Sequence, residues 1–314
     1  MKVVRCLLLV LGIICCSFRF EVDEPSDAIS PFFLSVQVGS SGELSSRRPL
    51  RLLLDINRRE WWIFAELIDQ RLSFASLRHL PVFSARYTLE LDGFEGRVDG
   101  FQFDFPIGGG GRASFGVVFR ADPPEVDWLA DGVVGMDVAR SLLGRVFSTA
   151  VDRTGTRASL AAGIRTRTPF GSCGTFAVEK RRSAEGGGWA VEIESVYFGH
   201  LELASSRPSP VLLSTLSPWI AGPRRAIERI FAQLGAAPNG TVDCARGGPP
   251  LVFRTAGHEF RVPFAHYSQE AGRECALRLL PAADERWVLG RPFHVGRCAF
   301  FDEERGEVGF ADLM

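Results

Sequence analysis

The sequence predicts an all-β protein, mostly strand with a few short helices, folded as two related lobes. Three observations predict it. Short apolar segments broken by Gly and Pro run along nearly the whole chain. Within several of them apolar and polar residues alternate, the period of a half-buried strand. A pair of segments in the first half recurs in the second, a mark of two related units. A length of 314 residues is also long for a single core.

The elements follow in chain order. "MKVVRCLLLVLGIICCSFRF" begins with Lys2 and Arg5, continues as an apolar run over 6–16 and reaches small residues at Cys15 and Ser17. This predicts a secretory signal peptide over 1–17, because the apolar run is short for a membrane span; an uncleaved anchor is the alternative. A short segment, 18–31, separates it from the first strand. "FFLSVQV", "ARYTLEL", "RVDGFQFDF", "ASFGVVF", "WAVEIESVYF", "PLVFRTAGHEFRV" and "ECALRLL" then predict strands. "VARSLLGRVFSTA", 138–150, carries apolar residues at helical spacing. "GPRRAIERIFAQLGA", 222–236, predicts a clearer helix: Pro223 suits its first turn, Ile227, Ile230, Phe231 and Leu234 share a face, and Gly235 stops it. The segments "GGGG" at 108–111 and "EGGG" at 185–188 lack the following helix that a phosphate cradle needs.

The repeat pairs "LLLDIN", 52–57, with "VLLSTL", 211–216. Each is followed at a similar distance by an apolar-apolar-Gly turn, "DGVVGM" at 131–136 and "WVLGRP" at 287–292. In the first copy the apolar strand runs into a lone acid, Asp55, which makes Asp55 a candidate catalytic residue.

Composition limits the function. A formal net charge of -1 gives no basis for nucleic acid or an anionic membrane as partner. If Cys6, Cys15 and Cys16 leave with the signal, Cys173, Cys244, Cys275 and Cys298 remain, an even number that in an exported chain suggests disulfides in any of three connectivities. Asn239 opens an N-G-T glycosylation sequon after a turn signal. The five histidines (His79, His200, His258, His266 and His294) lack metal-ligand spacing, and no metal or cofactor is expected. Ser214 as a nucleophile has no histidine near it in sequence and no surrounding nucleophile elbow.

From Phe32 to the C-terminus the chain resembles the pepsin-like aspartic peptidases. "WVLGRPF" matches the family's W-x-L-G-x-x-F segment, "AFFDEERGEVGFA" its closing hairpin, "DGVVGM" its D-G-I-L-G-L and "WIAGP" its L-I-A-G-P; Trp62 stands where the family has a Trp after its first catalytic turn. The resemblance implies the bilobal pepsin-like acid protease fold, with an N-terminal β lobe over 32–165 and a C-terminal β lobe over 166–314. It implies a bridge between Cys244 and Cys275. Cys173 and Cys298 have no counterpart in the family's usual bridges, and a pair or two buried thiols both remain open.

The family's chemistry needs two carboxylates, one from each lobe, each on an Asp-Thr-Gly loop. Held about 3 Å apart they share one proton, one acting as base on water and the other as acid. Carried onto this chain, the first loop is Asp55-Ile56-Asn57-Arg58. The second is Ser214-Thr215-Leu216-Ser217, so Ser214 stands at the second catalytic position. The flap aligns with Leu89-Glu90-Leu91-Asp92, with Tyr87 two residues away; Tyr87, Leu89 and Thr215 are the expected cleft and flap residues. Ser214 cannot act as the base, and it is expected to donate a hydrogen bond to Asp55. Asp55 without a like-charged partner is expected to be a plain charged carboxylate, the more so if Arg58 or Arg59 is near. The short stretch between the signal and "FFLSVQVG" leaves little room for the masking segment common in the family.

The expectation is a secreted or secretory-pathway-lumen peptidase homologue, catalytically inactive and monomeric. Its interlobe cleft would bind a peptide or an extended protein segment. The alternatives are an active aspartic-type endopeptidase using Asp55 with a second acid elsewhere, and a structural extracellular protein.

Overall fold

The computed structural model describes residues 17–18, 33–37, 50–57, 62–64, 82–89, 94–107, 111–122, 132–136, 140, 143–183, 188–204, 208–282 and 286–314. The signal segment up to residue 16, residues 19–31, Arg58, Arg59, Glu90 to Asp92, and residues 108–110 and 185–187 of the glycine-rich segments lie outside the described residues, as do the side chains of Tyr87 and Leu89.

Strands dominate, and the two halves are built on one frame. In the first half β1 (Leu50–Leu54), β2 (Trp62–Phe64), β3 (Gly111–Asp122) and β4 (Gly132–Val134) lie in the spatial order β1-β4-β2-β3. The short strand β4 slots between β1 and β2, parallel to β1 and antiparallel to β2, while β2 runs parallel to β3. In the second half β5 (Ser209–Leu213), β6 (Ile220–Gly222), β7 (Leu279–Pro281) and β8 (Val288–Leu289) repeat that order as β5-β8-β6-β7, with the same strand senses. The strand "LLL" is apolar without alternation because Leu52, Leu53 and Leu54 are all buried, and in "VLL" Val211 and Leu213 are buried while Leu212 is half-buried. Together the halves form the all-β, two-lobed fold that the sequence predicts.

A five-stranded sheet draws on the middle and the end of the chain, in the order Ala158–Ala162, Val146–Val151, Arg297–Asp302, Glu307–Asp312, Ala177–Lys180. It corrects one expectation. Residues 138–150 do not form one helix, since Val146 to Ala150 are the start of a central strand of this sheet. The apolar spacing of that segment fits a helix, but "VFSTAV" is rich in β-branched residues and pairs on one side with the next strand, Ala158–Ala162, and on the other with the distant Arg297–Asp302, and those ladders decide its state. Its Phe147 stacks on Phe301 at 4.9 Å between ring centroids, and Trp189 meets Phe301 edge-on at 5.1 Å. A second aromatic group surrounds Phe293, with Phe260 at 5.9 Å and Phe310 at 5.2 Å, both edge-to-face. Each such ring, fully buried, contributes about 1.5–3 kcal/mol of transfer free energy.

The helix expected near 222–236 is α1 (Arg224–Leu234), preceded by Pro223 and ended by Gly235. Ala226, Ile227, Ile230 and Leu234 form its buried face; Phe231 is half-buried. Two disulfides tie the second half together. Cys244–Cys275 joins a short turn to the strand Glu274–Leu277, and Cys173–Cys298 fastens the segment before Ala177–Lys180 to the centre of the five-stranded sheet.

Candidate functional site

The repeated frame fixes which residues correspond. Leu54 at the end of β1 pairs with Val134 of β4, and the next amide, Asp55 N, donates to Val134 O at 2.9 Å. Leu213 at the end of β5 pairs with Leu289 of β8, and the next amide, Ser214 N, donates to Leu289 O at 3.0 Å. Asp55 and Ser214 therefore occupy equivalent places, each one residue beyond a buried strand, and both are buried.

The two loops touch. Thr215 Oγ1 donates to Leu54 O at 2.6 Å and accepts from Ile56 N at 3.3 Å. One hydroxyl from the second loop thus spans the residues on both sides of Asp55. In the other direction the link is made differently. Ile56, the counterpart of Thr215, has no hydroxyl and is buried. The neighbouring Asn57 reaches across instead: its Nδ2 donates to Leu213 O at 2.8 Å, and its Oδ1 accepts from Trp189 N at 2.9 Å.

Within each loop the side chains at the two equivalent positions accept backbone amides. Asp55 Oδ1 accepts from Asn57 N at 2.8 Å, and Ser214 Oγ accepts from Ser217 N at 3.0 Å. Ser217 is itself held, its hydroxyl donating to Trp219 O and its carbonyl accepting from Arg291 N. Beneath this loop lies Gly290, where a Cβ would come within 2.1 Å of Trp219 O and 2.4 Å of Ser217 O. That close approach leaves no alternative to glycine at the end of "WVLG".

Sequence reasoning missed two participants. Asn57 is a polar residue in a charged turn, and its partners are 132 and 156 residues away. His294 is the other. Its buried imidazole lies within hydrogen-bonding reach of the Ser214 and Leu289 backbone. Burial, reinforced by the nearby Arg297 guanidinium, lowers its pKa to about 4, so it is neutral at physiological pH. Ser214 thus has a histidine against its backbone after all, while its hydroxyl accepts from Ser217 N.

The remaining expected residues are placed as follows. Tyr87 and Leu89 lie in the strand Val82–Leu89, opposite Gly96 and Phe94 of a long hairpin. Asn239 is exposed in a turn, its Oδ1 accepting from Thr241 N and Thr241 Oγ1. Among the described residues no group of three His, Cys, Asp or Glu side chains could hold a metal ion, and no helix is long and apolar enough to cross a membrane.

Comparison with known proteins agrees with this frame. A profile of the family described as eukaryotic aspartyl protease matches residues 139–313. Embryonic pepsinogen of Gallus gallus is 24% identical over 204 residues, covering 59% of this chain and 53% of that protein. Pepsin A of Canis lupus familiaris is 27% identical over 138 residues, covering 40% of this chain and 36% of its own length. Pregnancy-associated glycoprotein 1 of Bos taurus is 28% identical over 138 residues, again 40% of this chain and 36% of that protein. The chain thus spans between about a third and about half of the length of these curated relatives. The family profile covers more than half of the chain, in the region that holds the second loop, Gly290 and the closing hairpin, and the chain belongs to the eukaryotic aspartyl protease family.

Proposed function

We propose that this protein is a pseudopeptidase, which uses the cleft between its lobes to bind a peptide or an extended protein segment without cutting it. The observation that carries the reading is the equivalence of Asp55 and Ser214 in the repeated frame: the amide of each donates to the matching carbonyl, Val134 O or Leu289 O. A proton-sharing pair needs two carboxyls. With an alcohol at the second place there is no group that ionises at working pH to complete it. The buried imidazole of His294 does not supply one, because what it meets is the Ser214 backbone. Loss of the chemistry leaves the lobes, their aromatic packing and the loop-to-loop hydrogen bonds in place, and a groove between two lobes remains a ready peptide site. The two disulfides support passage through an oxidising compartment, and the exposed Asn239 supports glycosylation there.

The test is direct. The purified chain is incubated with an unfolded protein substrate from pH 2 to 7 beside its Asp55→Ala variant, and a statine-containing hexapeptide is titrated by calorimetry. The expected result is no cleavage above the variant, together with saturable peptide binding. Cleavage abolished by Asp55→Ala would make the protein a working peptidase with a second acid elsewhere. Neither cleavage nor binding would favour a structural role with a filled cleft.

A further inference from the structure

The first loop carries an asparagine where the family's loops carry glycine, and its side chain does more than complete a turn. We propose that Asn57 is the positioning residue of the groove, a carboxamide clasp that stands in for the hydroxyl missing from Ile56 and holds the two loops in apposition. The repeated frame supplies the argument. Thr215 Oγ1 reaches the carbonyl of Leu54, the residue before Asp55. By the same geometry a hydroxyl at residue 56 would reach the carbonyl of Leu213, the residue before Ser214. Ile56 cannot donate, yet Leu213 O still receives a cross-loop hydrogen bond, from Asn57 Nδ2 at 2.8 Å. The donor has moved one residue along the chain, and the acceptor has stayed the same.

The other end of the carboxamide extends the clasp further than a hydroxyl could. Asn57 Oδ1 accepts from Trp189 N, the first residue of the strand Trp189–Ile193. Trp189 is almost wholly buried, packs edge-on against Phe301, and lies beneath the Arg181 guanidinium at 4.4 Å. Phe301 stacks in turn on Phe147. The first loop is thereby fastened to the aromatic packing of the five-stranded sheet as well as to the second loop. Gly188 makes room for this reach: a Cβ there would come within 2.8 Å of Asn57 Oδ1 and 3.2 Å of Leu212 Cδ1. A carboxamide whose donor and acceptor are both committed to residues far along the chain has the pattern of a clasp, because a turn asparagine bonds its own neighbours. The consequence for the groove is that its floor is set before any ligand arrives, which spares part of the ordering cost of binding. That last consequence alone rests on the proposed peptide-binding function; the clasp itself does not.

The test uses the full chain and three variants. Asn57→Gly removes both bonds and installs the family's residue. Asn57→Gly with Ile56→Thr restores a hydroxyl aimed at Leu213 O. Gly188→Ala displaces the carboxamide without changing Asn57. Site-resolved amide hydrogen exchange is followed at 54–57, 188–190 and 213–216, with the statine-containing hexapeptide titrated in parallel. Exchange at Trp189 N and across 213–216 is expected to rise about tenfold or more in Asn57→Gly and in Gly188→Ala. Adding Ile56→Thr is expected to recover protection at 213–216 but not at Trp189 N, a split that a general loss of stability would not produce. Unchanged exchange in Asn57→Gly, or equal recovery at both places, would overturn the clasp. If the exchange pattern holds while the unaltered protein binds no peptide, the clasp stands and the binding function fails. If the unaltered protein binds peptide but exchange does not change, the reverse is true.

Discussion

The first and second loops start from matching strand ends and are secured in opposite ways. The second loop is held from its own half. Ser217 bonds Ser214, Trp219 and Arg291, Gly290 lies tight beneath it, and His294 lies against its backbone. The first loop sends its side chain outward, through Asn57, to Leu213 and Trp189 of the other half. From the second loop Thr215 reaches back to Leu54 and Ile56. The apposition of two loops can thus outlast the symmetry of the residues that make it, provided each buried carbonyl still finds a donor.

The most disruptive test of this contrast is Gly290→Ala. A methyl group there meets two backbone oxygens, and backbone cannot swing aside as a side chain can. The loss is expected to exceed about 4 kcal/mol, enough to keep the variant from accumulating as folded protein. Recovery of soluble protein and urea unfolding measure it, and a loss under about 1 kcal/mol would mean that the second loop is far less firmly seated than its contacts imply.

Acid is the next largest perturbation, and it reaches the second loop through His294. The folded pKa of His294 is lowered from 6.5 to about 4, first by burial and then by Arg297. His266 is lowered to about 4 as well, by burial and Arg297, with Asp312 acting in the opposite direction. The unfolded chain therefore binds more protons than the folded one between pH 6.5 and 4. Stability is full above about pH 6.5 and falls as the pH is lowered through that window, by about 3 kcal/mol for the fully buried His294. Urea midpoints between pH 7 and 4 should show the decline, and His294→Gln should remove the His294 share of it, leaving that of His266. A midpoint that stays level in the unaltered protein would refute the assignment.

Thr215→Val comes third. It removes the donor to Leu54 O and the acceptor for Ile56 N while keeping the shape of the side chain. Two buried cross-loop bonds are lost together, and the expected cost is about 2 kcal/mol in chemical unfolding. A cost near zero would place the burden of apposition on Asn57 alone.

Much of this architecture was legible in the chain itself. The strands announce themselves by alternation or by unbroken apolar runs, and the repeat of "LLLDIN" in "VLLSTL" foretells two related halves, seen in the shared strand order β1-β4-β2-β3 and β5-β8-β6-β7. α1 carries its own start and stop signals. What could not be read depends on distant partners. Val146 to Ala150 have a spacing that suits a helix, and only the strands beside them, one from the far end of the chain, make them a sheet. Asn57 and His294 look ordinary in sequence because their chemistry lies with Leu213, Trp189 and the Ser214 backbone, which are brought to them only by folding. The pairing of Cys173 with Cys298 was open for the same reason, as it depends on a sheet formed across 125 residues of separation.

The smallest effect is expected at Ser214, the place equivalent to Asp55 in the second half. Ser214→Ala deletes a single acceptor, the Oγ that takes the Ser217 amide three residues on. Both residues are buried, so the amide is left without this partner, and the cost is about 1 kcal/mol. That is half of what Thr215→Val is expected to cost, although the two residues are adjacent and equally enclosed. The reason is topological: the Ser214 bond closes a turn that Gly290 and Arg291 also support, whereas the Thr215 bonds join segments about 160 residues apart in sequence. Under the pseudopeptidase reading Ser214→Ala should also leave binding of the statine-containing hexapeptide unchanged. Paired titrations and unfolding curves of the two variants decide the matter. A Ser214→Ala loss as large as that of Thr215→Val, or a loss of peptide binding with stability intact, would show that the hydroxyl at the second position still has a function of its own.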